Sequence, residues 1–355
     1  LKKNLEKNVY YILLFPPRKF SGHLNSFFSL RNSNIKIIYA RNKRGLEWKF
    51  PFFILNLELY FFLKKEKVDI FLTPYIDPPF LPGIKVISTI HDLIFLKFDK
   101  YFNNFRIIKK FFSELRIILT LIYSERIITV SETSKKSLIE RYKSLKFLEH
   151  KLSNITVIYN GITKIDNQKN INSKIIRLDS DYILYVGDRR NHKNLFYTID
   201  LIKNYNSTYN KDLKLYIVGS KSYLNLSLQK FIETNKFVRE IINPSDLLLD
   251  ILYKKCQALI LLSFDEGFGI PIIEAASRSK KIILSNIPIF KEIAPNNSLL
   301  LDLNNKNQHI NLLHNYLEKN IEFDTHFILK KWSWESSAKR LNDLISSMLL
   351  PKFQE

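Results

Sequence analysis

Two glutamates eight positions apart, Glu266 and Glu274, bracket the core of the stretch Ser263-Phe-Asp-Glu-Gly-Phe-Gly-Ile-Pro-Ile-Ile-Glu-Ala-Ala276, and the residues between them read as a turn from a buried strand into a helix. The preceding run Ala258-Leu-Ile-Leu-Leu262 is short, continuous and apolar, as expected of a strand covered on both faces of a parallel sheet. Gly267 and Gly269 permit a tight turn and close backbone approach to a ligand, and Pro271 suits the first turn of a helix beginning near Ile270. Unpaired N–H groups and the dipole at such a start favour an anion such as a phosphate. Glu266 then stands on the loop, and Glu274 about one turn into the helix. Two carboxylates would repel a phosphate but accept hydrogen bonds from neutral hydroxyls, so they suit those of a sugar and a ribose.

A second constellation, Tyr185-Val-Gly-Asp-Arg-Arg-Asn-His-Lys-Asn194, follows a predicted strand and opens a helix near Asn194. Gly187 lets the backbone approach a ligand, while Arg189, a planar fork, and Lys193, a mobile point charge, could neutralise a diphosphate. A basic loop alone is more often a solvated turn, and its pairing with the Glu266 loop at one sheet edge favours the ligand reading. A third, Thr89-Ile-His-Asp-Leu93, ends another predicted strand. There His91 could hydrogen-bond a transferring group and Asp92 could orient the imidazole or cap the next helix, although a structural role suits the pair equally. After the first strand, Pro16-Pro-Arg-Lys-Phe-Ser-Gly-His23 offers Gly22 backbone contacts and the Arg18 charge. Asp179-Ser-Asp181 spells Asp-x-Asp, a metal-binding pattern, but precedes the strand at 182–186 and is assigned to a solvated turn. The other histidines are scattered and show no zinc-ligand spacing.

With 355 residues the chain has room for two domains, and an apolar content of 46% excludes disorder throughout. The single Cys256 forbids an intramolecular disulfide framework and fits a reducing compartment. Lys2-Lys3 before Val9-Tyr-Tyr-Ile-Leu-Leu-Phe15 superficially resembles a signal peptide, but the apolar part is short, runs into Pro16-Pro17 and reads better as the first buried strand. No run of about eighteen uncharged apolar residues occurs, which argues against a membrane-spanning helix. The net charge of +21 is uneven: residues 1–165 hold 29 Lys+Arg against 13 Asp+Glu, a net of +16. Such a field attracts anionic membrane surfaces, nucleic acid or polyanionic substrates, but a bias toward Lys, Asn and Ile along the whole chain explains it as well.

Strands are predicted at 9–15, 35–39, 70–72, 86–90, 126–130 and 155–159, with helices at 24–31, 52–65, 104–123 and 132–142, the last capped by Ser131. A polar linker at 166–181 leads to a second series of strands at 182–186, 213–218, 238–242, 258–262, 281–284 and 298–301. The pattern is α/β: two doubly wound, Rossmann-like domains, 1–165 and 182–330, with a ligand cleft at the carboxyl ends of their strands. An amphipathic helix at 331–350, capped by Ser333, is expected to brace both.

With these loops placed, the chain resembles the retaining glycosyltransferases of family 4, which have the GT-B fold. The resemblance runs through Ser21-Gly22, Thr89-Ile-His-Asp-Leu93, Ile127-Ile-Thr-Val-Ser-Glu-Thr-Ser134, Val157-Ile-Tyr-Asn-Gly161, Val186-Gly187 with Lys193-Asn194, the Glu266 to Glu274 turn and the Trp-rich closing helix. It implies transfer of a sugar from a nucleotide-sugar with retention of configuration, without cofactor or metal. Arg189 and Lys193 would hold the donor diphosphate and stabilise its growing charge. Glu266 would bind sugar hydroxyls, with the Phe268 and Gly269 amides and the helix start at Ile270 nearby. Glu274 would hold the ribose, Gly22 and Gly187 would give backbone contacts, and His91 would face the sugar. No covalent nucleophile is needed, since the family is thought to use front-face attack assisted by the leaving phosphate. The sequence departs from the family in its shortened glycine stretch at Ser21-Gly22-His23, in His192, and in Ser279 and Lys281, which stand where Gly and Pro are general.

The resulting expectation is a cytoplasmic hexosyltransferase, peripheral at the inner face of the cell membrane, acting in surface-polysaccharide synthesis. The overall resemblance slightly favours mannose, and the acceptor would be a glycan or lipid-linked. Alternatives are an epimerase or phosphorylase of the same fold, disfavoured because no cofactor lysine site is evident, a catalytically silent scaffold, and a nucleic-acid-binding protein, disfavoured because the basic residues are dispersed.

Overall fold

The computed structural model describes residues 10–14, 35–39, 54–74, 76, 81–97, 106–162, 178–221 and 225–349. Gly22, Arg18, the helix expected at 24–31 and most of the 166–181 linker lie outside them. The chain forms two compact units: Leu1–Phe71, Pro79–Val86 and Ala338–Glu355 make one, Leu72–Pro78 and Ile87–Ser337 the other.

In the first unit, β1 (Tyr10–Leu14) runs parallel to β2 (Ile35–Tyr39), with Tyr10 opposite Ile35. The helix Ile54–Lys65 contributes Leu63 to a small cluster with Leu81, Ile84 and Val86. Lys85 Nζ donates to the carbonyl of Met348, near the end of the closing helix Trp334–Leu349.

A four-stranded sheet has the order β3 (Ile70–Thr73), β4 (Lys85–Ile90), β5 (Arg126–Thr129), β6 (Ile155–Val157). The last three are parallel, with Thr89 opposite Ile128 and Ile128 opposite Thr156. Below them Ile90, Ile127, Leu138 and the inner face of helix Arg106–Tyr123, through Ile117 and Leu121, form a continuous apolar core. The helix Glu132–Tyr142 starts as its sequence requires, with Ser131 Oγ accepting from Ser134 N at 3.0 Å.

The second unit also holds a six-stranded sheet ordered β12 (Leu299–Leu301), β11 (Lys281–Ser285), β10 (Ala258–Leu261), β7 (Tyr182–Val186), β8 (Lys214–Gly219), β9 (Val238–Ile242), parallel throughout. From β7 the chain winds outward through β8 and β9, then crosses back to β10 and winds the other way. That is the doubly wound order, and its reversal lies between β7 and β10. Both strands are apolar because helices cover both faces of the sheet: Ile183, Leu184, Leu259 and Ile260 have no exposure at all. The carboxyl ends of β7 and β10 therefore open side by side into the crevice where such sheets bind ligands.

The helix Ile270–Ala276 closes in a left-handed turn at Ser279, φ 54°. Lys280 N reaches back to Ala275 O and Ser279 N to Ala276 O, a Schellman motif whose left-handed position favours glycine. Replacing Ser279 by Gly removes a side chain from a backbone region costly for L residues. We expect a gain of about 1 kcal/mol, read as a raised Tm in thermal unfolding, without loss of ligand binding.

Candidate functional site

Two strand-to-helix loops build the site, and three contacts lock them together. Phe264 N donates to His192 O at 2.8 Å, Asn194 Nδ2 donates to Leu262 O at 3.0 Å, and Lys193 Nζ grips both carboxylate oxygens of Glu266, at 2.7 and 2.8 Å. Ser263 Oγ, 2.7 Å from Glu266 Oε1, fixes the carboxylate from behind. The ion pair is only 16% and 9% exposed, so it acts in a medium of low dielectric where geometry rather than salt governs its strength.

Glu274, one helical turn beyond Pro271, accepts a hydrogen bond from the buried Tyr253 hydroxyl at 2.8 Å. Burial pushes its carboxyl above the usual glutamate range, against the pull of Tyr253 and Arg278. Arg278 in turn is held by Asp250 and lies 5.2 Å from the Tyr253 ring. Gly269 adopts φ 100° as N-cap of the helix at Ile270, and a Cβ there would press on Ile293 and Ile272 at 3.0 and 3.1 Å. The Phe268 side chain turns into an aromatic cluster with Tyr159 and Trp332, 6.2 and 5.6 Å between ring centroids, so only its backbone remains for a ligand.

The third loop meets the first two at Gly267. A Cβ on Gly267 would lie 3.0 Å from Asp92 Oδ2 and 3.3 Å from His91 O, so only glycine fits without displacement. Ser134 Oγ donates to His91 O at 2.8 Å and Ser131 Oγ to Gly267 O at 3.0 Å, and the Glu292 carboxylate accepts from Glu132 N and Thr133 N at 2.7 and 2.8 Å. A carboxylate at that helix start is favoured by the dipole and satisfies two free donors. Asp92 caps the short helix Ile94–Lys97 through Ile94 N at 2.9 Å, so of its two expected roles the structure shows the cap. The exposed His91 bonds Pro74 O through Nε2 at 2.9 Å; because a carbonyl only accepts, Nε2 carries the proton.

Arg189 requires correction. Its guanidinium has no exposure and donates to Gly187 O at 2.8 Å, to Ile217 O at 3.3 Å and to Glu240 at 3.3 Å, so it braces the sheet interior and cannot reach a ligand diphosphate. The neighbouring Arg190, 38% exposed, is the loop guanidinium on the solvent side, aligned by Asp188 Oδ2 at 2.6 Å from its Nε. Burial alone would raise Asp188, but Arg190 and Lys193 outweigh it and hold the carboxyl below its usual range. His192 is buried and pushed down to about 3 by burial and then by Lys193 and Arg190, so it is neutral at any ordinary pH. Gly187 sits under Tyr185, where a Cβ would come within 2.8 Å of Oη. Tyr253, Arg190 and Glu292 were not singled out in the sequence: Tyr253 stands 21 positions before its partner, and no local pattern marks such a distance.

The Asp179-Ser-Asp181 turn lies at the amino ends of the strands, beside a cavity of about 570 Å³ also lined by Lys214, Gln257 and Lys281. Asp179 accepts from Tyr216 Oη and Asp181 from Gln257 Nε2, which agrees with a structural turn. Among the described residues no cluster of three His, Cys, Asp or Glu could hold a metal. Cys256 is buried and its thiol pushed up to about 12, primarily by burial, so it is unreactive.

Residues 14–164 match the model of the family Glycosyltransferase Family 4, and residues 166–331 that of Glycosyl transferases group 1. The O-antigen chain mannosyltransferase RfbU of Salmonella typhimurium is 33% identical over 181 residues, 50% of this chain and 47% of that protein, so the match spans about half of the relative's length. Among solved structures, a glycosyltransferase from Rickettsia africae aligns over 97% of this chain and 100% of its own, with a TM-score of 0.68 at 19% identity. Anabaena HepE, crystallised with UDP and glucose, aligns over 95% and 91% with a TM-score of 0.65 at 14% identity. At these identities the two structures establish the fold alone.

The two adjacent arginines can be separated experimentally. Arg189→Met strips donors from two buried carbonyls and should cost about 1–3 kcal/mol in urea unfolding, whereas Arg190→Met should leave the midpoint nearly unchanged. Equal loss of stability in both variants would contradict the assignment of Arg189 to the interior.

Proposed function

Because the chain belongs to glycosyltransferase family 4, we propose that it moves a hexose from a nucleotide-sugar to a glycan or lipid-linked acceptor, with retention of configuration, in surface-polysaccharide synthesis. The observation that carries the reading is the clamp of Lys193 on Glu266 at the β7/β10 reversal, which places a cation and an acceptor of hydroxyl hydrogen bonds within 2.7 Å of each other. A lysine ammonium has three protons; Glu266 takes two, and in this reading the third goes to a phosphate oxygen of the donor.

In this reading Lys193 and Arg190 offset the charge that grows on the leaving diphosphate, taking the part a metal ion has in other transferases. Arg190 replaces Arg189 in that role. Glu266 accepts from the sugar hydroxyls and Glu274 from the ribose, the first held by Lys193 and Ser263, the second by Tyr253, so neither carboxylate must reorganise when the donor arrives. The amides of Phe268, Gly269 and Ile270 and the backbone at Gly187 lie along the same edge, and His91, with Nε2 committed to Pro74 O, offers Nδ1 toward the sugar. The matched relative's mannosyltransferase name supports mannose as the hexose, and a GDP-linked donor is the first to test.

Isothermal titration with GDP, UDP and dTDP is expected to show binding of one of them, unaffected by EDTA; binding of none would sink the donor site. Glu266→Gln, which preserves shape but loses the charge facing the hydroxyls and Lys193, should lower kcat/KM by about a hundredfold, and full activity in this variant would refute the sugar contact. The pH dependence follows from Glu274. Its carboxyl is raised, so as pH falls it protonates before an ordinary glutamate would, and the donor KM should rise on the acid side while Glu274→Gln shows a KM that is high and flat across the same range.

A further inference from the structure

Asp92 carries a charge that its capping bond does not need. One oxygen, Oδ1, accepts from Ile94 N at 2.9 Å, at the start of a helix of only four residues. Elsewhere in the chain neutral side chains cap longer helices: Ser131, Ser245 and Asn225 start helices of 11, 10 and 9 residues through bonds of 3.0, 3.2 and 2.7 Å. Asp324 also caps a helix, but it is exposed and its charge stays in water. Asp92 is half-buried, and burial, the largest influence on it, pushes its carboxyl above the usual aspartate range. A carboxylate kept there against its desolvation, where serine or asparagine would cap as well, points to a second use.

Its surroundings say which. Asp92 Oδ2 lies 3.0 Å from where a Cβ on Gly267 would stand, so it packs against the residue that follows Glu266. His91 on its own loop and Asp265 and Arg190 from the other two loops are the charges that act on it, and Asp265 is paired with Lys97 at 2.6 Å. In the proposed function Glu266 marks the sugar, and Arg190 with Lys193 marks the diphosphate. A carboxylate that touches the Glu266 loop and lies in the field of Arg190 stands where those two meet, at the anomeric carbon. Retention by front-face attack brings the acceptor hydroxyl to that same point, beside the leaving phosphate.

We infer that Asp92 is the catalytic base of the transfer, its Oδ2 accepting the hydrogen bond of the attacking hydroxyl and then its proton. As the proton moves to Oδ2, the hydroxyl oxygen forms its bond to the anomeric carbon. The bond from that carbon to the phosphate oxygen breaks, its electron pair stays on the nucleoside diphosphate, and Arg190 and Lys193 offset the charge. Asp92 returns the proton to water after the product has left. The inference rests on the donor-site reading and deepens it, giving to a side chain the proton that the resemblance would give to the leaving phosphate. A raised carboxyl suits this part, because a base works best when its proton affinity lies near the operating pH.

The test follows hydrolysis of GDP-mannose, UDP-glucose and dTDP-glucose by the full chain, with water in the acceptor's place, and titrates GDP, UDP and dTDP in parallel. The variants are Asp92→Asn and Asp92→Ser, each of which keeps an oxygen for Ile94 N, with circular dichroism as the check on folding. Wild type should hydrolyse the donor whose nucleotide it binds faster than buffer does, and kcat at saturating donor should fall about a hundredfold or more in both variants. The nucleotide should bind the variants as tightly as wild type or more tightly, since a negative charge near the diphosphate is gone; damage to the loop would weaken it. As pH falls Asp92 protonates and the wild-type kcat should drop, while the residual kcat of the variants stays flat; Glu274 acts on KM and is thereby separated. Full kcat in either folded variant, or wild-type hydrolysis no faster than in buffer, overturns the base and leaves the donor site standing. Absence of nucleotide binding in wild type overturns the donor reading and the base with it.

Discussion

The ion pair between Lys193 and Glu266 is the contact on which the site depends, and the sheet dictates its position. A parallel sheet that winds outward in both directions from β7 and β10 must leave those two strand ends adjacent, with their following loops side by side. Each loop brings one charge to that gap. Burying an ammonium and a carboxylate costs several kcal/mol per ion, and a bidentate contact with Ser263 as a third partner only about offsets it. The pair therefore contributes little net stability, and a hydrophobic replacement of similar volume would serve the fold as well. In the proposed function its value is to hold two opposite charges, already desolvated, for a phosphate and a sugar hydroxyl of the donor.

The same economy governs the junction around Gly267. With a hydrogen in place of a side chain, this residue lets the His91-Asp92 turn approach within van der Waals contact, and its carbonyl accepts from Ser131. Ser131 thus has two partners, capping its own helix and tethering the Gly267 loop. Glu292 completes the arrangement at the same helix start by accepting from two backbone donors that would otherwise be unpaired. Short serine and carboxylate side chains distant in sequence hold the backbone carbonyls and amides here, so the His91 turn and the Gly267 loop are fixed to one helix start.

Much of the architecture was legible because strands buried on two faces are apolar runs and the helices between them carry their own punctuation. The helix Glu132–Tyr142 with its Ser131 cap, the helix start after Gly269-Ile270-Pro271, and strands β5, β7 and β10 appear where period and capping chemistry place them. The placement of Lys193, Glu266 and Glu274 at two neighbouring strand-to-helix turns was legible for a further reason: such turns in a parallel sheet gather at the carboxyl edge whatever else surrounds them. Tyr253 and Glu292 were not, because the helices that carry them meet their partners only through tertiary packing, and neither position carries a local pattern that names its partner. Ser279 marks an intermediate case, since its replacement of a family glycine is visible in the sequence while the strain it bears shows only in its φ of 54°.

Arg189 and Arg190 show where sequence reasoning reaches its physical limit. In extended backbone, successive side chains point to opposite sides, so of two adjacent arginines one must face inward and the other outward. Arg190 is extended, with φ −66° and ψ 148°, and its neighbour occupies the inner side. Nothing in the residue types selects the phase; it is fixed by the tertiary turn at Gly187 and Asp188, where Tyr185 Oη donates to Asp188 O at 2.7 Å. Once that turn is set, the inward arginine must find acceptors at once, and the carbonyls of Gly187 and Ile217 with Glu240 provide them. The outward arginine donates from Nε to Asp188 Oδ2 at 2.6 Å, and its side chain is 38% exposed.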